Sequence, residues 1–191
     1  MDTSVRQPQN GISKSDAINI LDRTIGFINT CDNKASIILG VVGVVFAIVF
    51  TSDGVVLIRD LILSAIELNN LLSVLYLCLL VASMLFLVFG VLQLITVLIA
   101  RIEATAIKED LCKDYSVIFF GDIIKKYTFK KYCEKMTSLT NKALLDDILR
   151  EIYINAAICN LKFKKYNRGV IFSLSGLIGQ IILCIVGVCL L

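Results

Sequence analysis

Asp32 to Ser52 reads DNKASIILGVVGVVFAIVFTS. After Lys34 this stretch carries no charge for 18 residues, 35–52. A bilayer core of about 30 Å takes roughly 20 apolar residues in a helix. The run therefore reads as a membrane span near the lower limit of length, with an acid, an amide and a base at its threshold. Two more charge-free runs follow, 68–100 and 169–191. As a helix the longer of these would measure about 50 Å, too much for one crossing. Its membrane part is placed at 71–95, and the helix is expected to leave the bilayer and continue past Arg101. The third run gives a span at 169–191.

Composition agrees. Apolar residues make up 57% of the 191-residue chain and charged residues 18%, with a mean hydropathy of +0.83. Soluble domains carry about a quarter charged residues. The fold class is an all-α integral membrane protein, with three transmembrane helices extending into a cytoplasmic helical bundle. A net charge of +3 gives no reason to expect a nucleic-acid partner. There is no His, which removes the usual general base and the commonest zinc ligand. The seven cysteines are odd in number and show no CxxC pair, so neither a disulfide framework nor a metal site is expected. With no phosphate-cradling Gly loop and no nucleophile motif, no catalytic residue and no cofactor is assigned, and the chain does not read as an enzyme.

Charge sets the direction of the spans. Segment 101–168 holds 14 Lys or Arg against 9 Asp or Glu, whereas the 53–67 stretch sets Arg59 against Asp53, Asp60 and Glu67. Positive charge favours the cytoplasmic side. The expected order is a cytoplasmic amphipathic helix in 1–34, span 35–52, an external loop 53–70, span 71–95, a cytoplasmic segment 96–168 and span 169–191. The N-terminus is then inside and the C-terminus outside, as three spans require. Residues 1–34 carry four acids and four bases and show no cleavable signal pattern. Val55 to Ile66 is apolar but includes Arg59 and Asp60, and reads as a helix lying on the outer face.

Within the polar segments, Ile18, Leu21, Ile25 and Ile28 repeat at helical spacing. Ser13 and Asp16 resemble a helix start. One helix is expected from about Ser15 through Asp32–Lys34 into the first span. Lys34 can snorkel to the headgroups, but a carboxylate at Asp32 needs a basic partner. Tyr115 is placed at the end of a helix from Arg101, and Gly121 is the expected break that follows. Phe119, Phe120, Ile123 and Ile124 form an apolar knot, with Lys125, Lys126, Lys130 and Lys131 behind it. That basic strip reads first as a face for anionic lipid and second as a phosphate-binding surface. Thr140 is placed as the cap of a last long helix that runs through Asn155 and LKFKKYNRG (161–169) into the third span. A polar Asn155 on its apolar-leaning face calls for a hydrogen-bonding partner.

DNKAS (32–36), FFGDI (119–123) and the Lys162–Phe163 pair, in this order around three spans, resemble the Pycsar effector domain family. The resemblance implies a membrane effector of bacterial anti-phage immunity, seated in the inner membrane. It would sense a cyclic pyrimidine nucleotide, cCMP or cUMP, made by a partner cyclase after infection. It would then impair the membrane and cause abortive infection. Asp32, Asn33, Lys34, Phe119, Phe120, Asn155, Lys162 and Lys165 are the candidate nucleotide-binding or gating residues. Lys162 and Lys165 are the expected partners of Asp32 in a polar latch, for which a nucleotide phosphate would compete.

Two other functions remain open to the sequence. A constitutive transporter or channel subunit would place ionisable groups or broken helices near the bilayer midplane, and here the spans offer only Gln93 and Gln180. A membrane-anchored scaffold is compatible with the basic segment. Gly40, Gly43, Gly176, Gly179 and Gly187 are expected to bring helices close together. Three spans enclose little, so a homo-oligomer is expected.

Overall fold

The computed structural model describes residues 11–99 and 115–190. Among these, six helices and no strand form: α1 (Lys14–Val49), α2 (Ser52–Leu68), α3 (Leu71–Leu98), α4 (Phe120–Lys126), α5 (Phe129–Ser138) and α6 (Asn141–Leu190). Three of them, α1, α3 and α6, are long and apolar enough to cross a membrane. The chain is an all-α membrane protein. Its described residues divide into two compact units, a polar one from 11–29 and 115–160 and an apolar one from 30–99 and 161–190.

In the apolar unit, α1 ends at Val49, and Thr51 joins it to α2. The Thr51 hydroxyl donates to the carbonyl of Ile48 at 2.9 Å and accepts from the Gly54 N–H at 3.4 Å. The second turn uses two asparagines. Asn69 takes a left-handed conformation (φ 39°, ψ 40°), which Asn tolerates better than other residues with a Cβ. Asn70 then caps α3 by accepting from the Ser73 N–H at 2.8 Å. α2 packs along α3 and buries Leu61 and Ala65, while Arg59 and Asp60 stay exposed.

α3 and α6 approach closely because small residues line their contact. A Cβ on Gly176 would stand 2.5 Å from the Leu87 nitrogen and 2.7 Å from the Ser83 carbonyl oxygen. A Cβ on Gly90 would collide with the backbone nitrogen and hydroxyl of Ser173. Gly187 meets the Tyr76 hydroxyl, which donates to the Leu183 carbonyl at 3.2 Å. The Ser83 hydroxyl donates to the Gln180 side-chain oxygen. Close packing and a side-chain hydrogen bond are the forces that join helices where lipid removes the hydrophobic drive.

Two sequence expectations are corrected here. Among the described residues Gly40 and Gly43 meet nothing within 4 Å, because both lie on an exposed face of α1. α3 does not run on past Arg101. It stops at Leu98, and Ile99 is extended (φ −66°, ψ 120°). The expected helix over Arg101–Asp114 lies outside the described residues.

In the polar unit, the Ser13 hydroxyl accepts from the Asp16 N–H at 3.2 Å and starts α1. Thr140 does the same for α6, accepting from the Ala143 N–H at 3.2 Å. Ala17, Val117 and Ile148 are buried. Gly121 is not the break the sequence suggested, since α4 passes through it. The chain turns earlier, at Ser116, whose hydroxyl accepts from the N–H groups of Ile118 and Phe119 at 3.1 and 3.0 Å. A hydroxyl that binds backbone two and three residues on competes with helix, and so delays α4 until Phe120.

Candidate functional site

Asp32 stands on α1 between two buried neighbours on the inward face. Cys31, Ala35, Leu94 and Val97 are each fully buried and pack together, with Phe163 and Tyr166 of α6 against them. The small side chains at 31 and 35 leave room for that approach. Beside this core, Lys162 donates to both carboxylate oxygens of Asp32, at 2.6 and 2.7 Å. The two side chains are 15% and 31% exposed, so the pair is shielded from water on most sides. A charge-assisted contact of this length is among the stronger side-chain hydrogen bonds. Asn33 and Lys34, off the face that carries Cys31 and Ala35, are exposed.

A second polar cluster lies in the polar unit. Asp147 is 7% exposed. Its Oδ2 accepts from the Ser116 hydroxyl at 3.0 Å and from the Val117 N–H at 2.9 Å. Among the described residues its Oδ1 accepts no hydrogen bond, and Arg150 pairs with it at 3.8 Å. Asp122 accepts from the Ser116 N–H at 3.1 Å, so one short turn is held by two carboxylates. Glu151, one helical turn beyond Asp147, is also 7% exposed. Burial pushes its carboxyl above the ordinary range. Hydrogen bonding with Ser116 pulls it down, the Asp147 and Asp122 charges push it up, and Arg150 pulls it down.

Next to Asp147 is a cleft of about 330 Å³ lined by Tyr115, Lys126, Tyr127, Lys135 and Arg150 among others. The Lys126 ammonium sits 4.1 Å from the centre of the Tyr115 ring. Tyr127 and Tyr132 have ring centres 6.1 Å apart, and the Tyr132 hydroxyl donates to the Val117 carbonyl at 3.0 Å.

Of the residues singled out from sequence, the structure brings Asp32 and Lys162 together. Lys165 takes no part in that pair. Phe119 and Phe120 pack on each other with ring centres 4.8 Å apart, yet Phe120 is 66% exposed and Ile124 82% exposed, so the knot is an open one. Asn155 belongs to the polar unit, where its side-chain amide donates to the Glu151 carbonyl of its own helix at 2.9 Å. Sequence reasoning missed Ser116, Asp147 and Glu151. The available signal was the register of α6, in which Asp147 and Glu151 fall beside Ile148 on the side that carries Leu144 and Ile152. Acids at inward positions require partners.

Comparison with known proteins decides the family. The sequence model of the Pycsar effector protein domain matches residues 16–191. The chain belongs to the Pycsar effector family. The Pycsar effector protein GmPycTM of Gulbenkiania mobilis is 29% identical over 187 residues, covering 89% of this chain and 90% of the relative. No solved structure matches. Membership makes the chain a membrane-embedded effector of anti-phage defence, in a family functionally linked to a nucleotide cyclase. The matched region includes the Asp32–Lys162 pair and the Asp147 cluster alike. Among the described residues no group of three or more metal-ligating side chains is gathered.

Proposed function

We propose that this Pycsar effector senses a cyclic pyrimidine nucleotide, cCMP or cUMP, made by a partner cyclase after infection. It then impairs the integrity of the inner membrane and ends the infection with the cell. The N-terminus is cytoplasmic, the C-terminus external, and the working form is a homo-oligomer. The observation that carries the reading is the Asp32–Lys162 pair. It ties α1 to α6 at the polar end of two charge-free runs. A single ion pair between two membrane helices is a contact whose loss changes how those helices pack.

Nucleotide binding shifts the effector away from the paired arrangement, by as much as the ligand's affinities for the two arrangements differ. The bilayer is the target, and the cyclase product is the only small ligand required. Family membership favours this reading over the transporter and the scaffold.

The test is membrane potential in bacteria expressing the protein with an inducible cyclase supplying cCMP, cUMP, cAMP or cGMP. Depolarisation with a cyclic pyrimidine nucleotide and not with the purine controls is the expected result. Unchanged potential with every nucleotide, in cells shown to contain protein and ligand, rules the mechanism out.

A further inference from the structure

Among the described residues Asp147 Oδ1 is a buried acceptor that takes no hydrogen bond, only an ion pair with Arg150 at 3.8 Å, and native structures seldom leave one so. Its partner oxygen is fully used by Ser116 and Val117. Asp147 also lines the cleft that holds Lys126, Tyr127, Lys135 and Arg150. At about 330 Å³, that cleft is at the small end of ligand pockets, which run from roughly 300 to 1,000 Å³. Its chemistry is mixed in a particular way. Lys126 and Lys135 offer charge-assisted donors to a phosphate, while Arg150 is paired with Asp147. Two tyrosine rings offer faces on which a planar heterocycle can stack. One carboxylate oxygen asks for an N–H.

We propose that this cleft receives the nucleotide, and that Asp147 Oδ1 accepts from the exocyclic amine of a cytosine base, so that the effector answers cCMP in preference to cUMP. The inference rests on the reading that the chain senses a cyclic pyrimidine nucleotide. Cytosine and uracil differ where it matters. Cytosine carries an amine at ring position 4, a donor that a carboxylate accepts. Uracil carries a carbonyl there, whose lone pairs face the carboxylate with like charge. The cyclic phosphate is a monoanion, and the cleft sets Lys126, Lys135 and Arg150 against Asp146 and Asp147, one more base than acid. Asp147 lies on α6, the helix that also carries Lys162.

The test is equilibrium binding of radiolabelled cCMP and cUMP to the full chain in lipid nanodiscs. The expected result is cCMP tighter than cUMP by about tenfold or more, the discrimination of one well-made base contact. Asp147→Asn keeps an oxygen for Ser116 and Val117 and replaces the free acceptor by a donor. It is expected to erase or reverse the preference. Lys126→Gln with Lys135→Gln removes charge from two exposed rim positions, at the loss of the Lys126 contact with the Tyr115 ring. It is expected to weaken both nucleotides by about tenfold or more and to leave their ratio alone.

Other outcomes overturn the proposal. If the wild type prefers cUMP, the cytosine assignment is wrong. If cCMP binds and neither variant changes affinity or ratio, the ligand sits elsewhere and Asp147 holds only a water, while the reading of the protein as a nucleotide sensor stands. If neither nucleotide binds the wild type, that reading fails as well. Should Asp147→Asn fail to fold, the wild-type ratio and the double lysine variant still decide.

Discussion

Lys162 places its ammonium against both carboxylate oxygens of Asp32, 2.6 and 2.7 Å away, across 130 residues of sequence. If that pair holds α1 to α6, reversing one charge sets two like charges side by side and reversing both restores the attraction. Asp32→Lys and Lys162→Asp are each expected to lower stability by about 1–2 kcal/mol, the range for a partly exposed charged hydrogen bond. Each is also expected to disturb the depolarisation response. The Asp32→Lys/Lys162→Asp double variant is expected to recover at least half of both losses. Thermal unfolding in detergent and membrane potential in cells read the two effects. A double variant no better than the worse single one would show that proximity here does not amount to coupling.

The crossing of α3 and α6 depends on the absence of a side chain at 176. Gly176→Leu must push the helices apart, since even a Cβ would stand 2.5 Å from the Leu87 nitrogen. The expected loss is about 1–3 kcal/mol or more, as for overpacking elsewhere. Gly40→Leu, where nothing lies within 4 Å, is the matched control. It is expected to leave the melting temperature of the detergent-solubilised monomer unchanged. Equal damage from both substitutions would mean that the α3–α6 contact is not special.

Ser83 and Gln180 make a polar contact between two apolar helices. Side-chain hydrogen bonds between membrane helices are worth about 0.6 kcal/mol on average and up to about 1.7. Ser83→Ala is expected to cost that much, because Gln180 keeps its polar amide and loses its partner. Replacing both, as Ser83→Ala with Gln180→Leu, removes the stranded group and is expected to recover most of the loss. Unfolding by a denaturing detergent, followed by circular dichroism, separates the two. A double variant that adds a further full loss would place the stabilisation in something other than the pair.

The parts of this architecture that were legible from sequence follow from one-dimensional rules. Charge-free runs against bilayer thickness located three apolar helices, and Ser13 and Thr140 marked two helix starts because capping is local. Asp32 pointed to a base because a carboxylate at such a threshold is costly alone, and Lys162 was within the expected set. What was not legible depends on where the chain returns. Gly40 and Gly176 look alike in sequence, and only the course of α6 beside α3 makes one a contact and the other an open position. Gly121 was read as the break because Gly often marks one, whereas the turn is made by the Ser116 hydroxyl. The Asp147 cluster joins residues 30 and 31 positions apart, a separation that no periodicity encodes.

Glu151 supplies the pH dependence. Burial, with Asp147 and Asp122 nearby, raises its carboxyl above the ordinary value despite Ser116 and Arg150. The folded chain therefore holds a proton on Glu151 over a pH range where the unfolded chain has released it. Stability falls as pH rises through that range, from the ordinary carboxylate value up to the raised one, and the loss is complete above it. Glu151→Gln carries no such proton. Relative to wild type, the variant is expected to match at pH values below the ordinary carboxylate range, to gain as pH rises through the window, and then to hold a constant advantage. Comparing the two proteins cancels the titration of groups they share. Melting temperatures of both proteins in one detergent, taken from pH 4 to pH 8, give the difference curve. A flat curve would mean that the burial of the Glu151 carboxylate is fully compensated, and one that falls with rising pH that the folded state stabilises it.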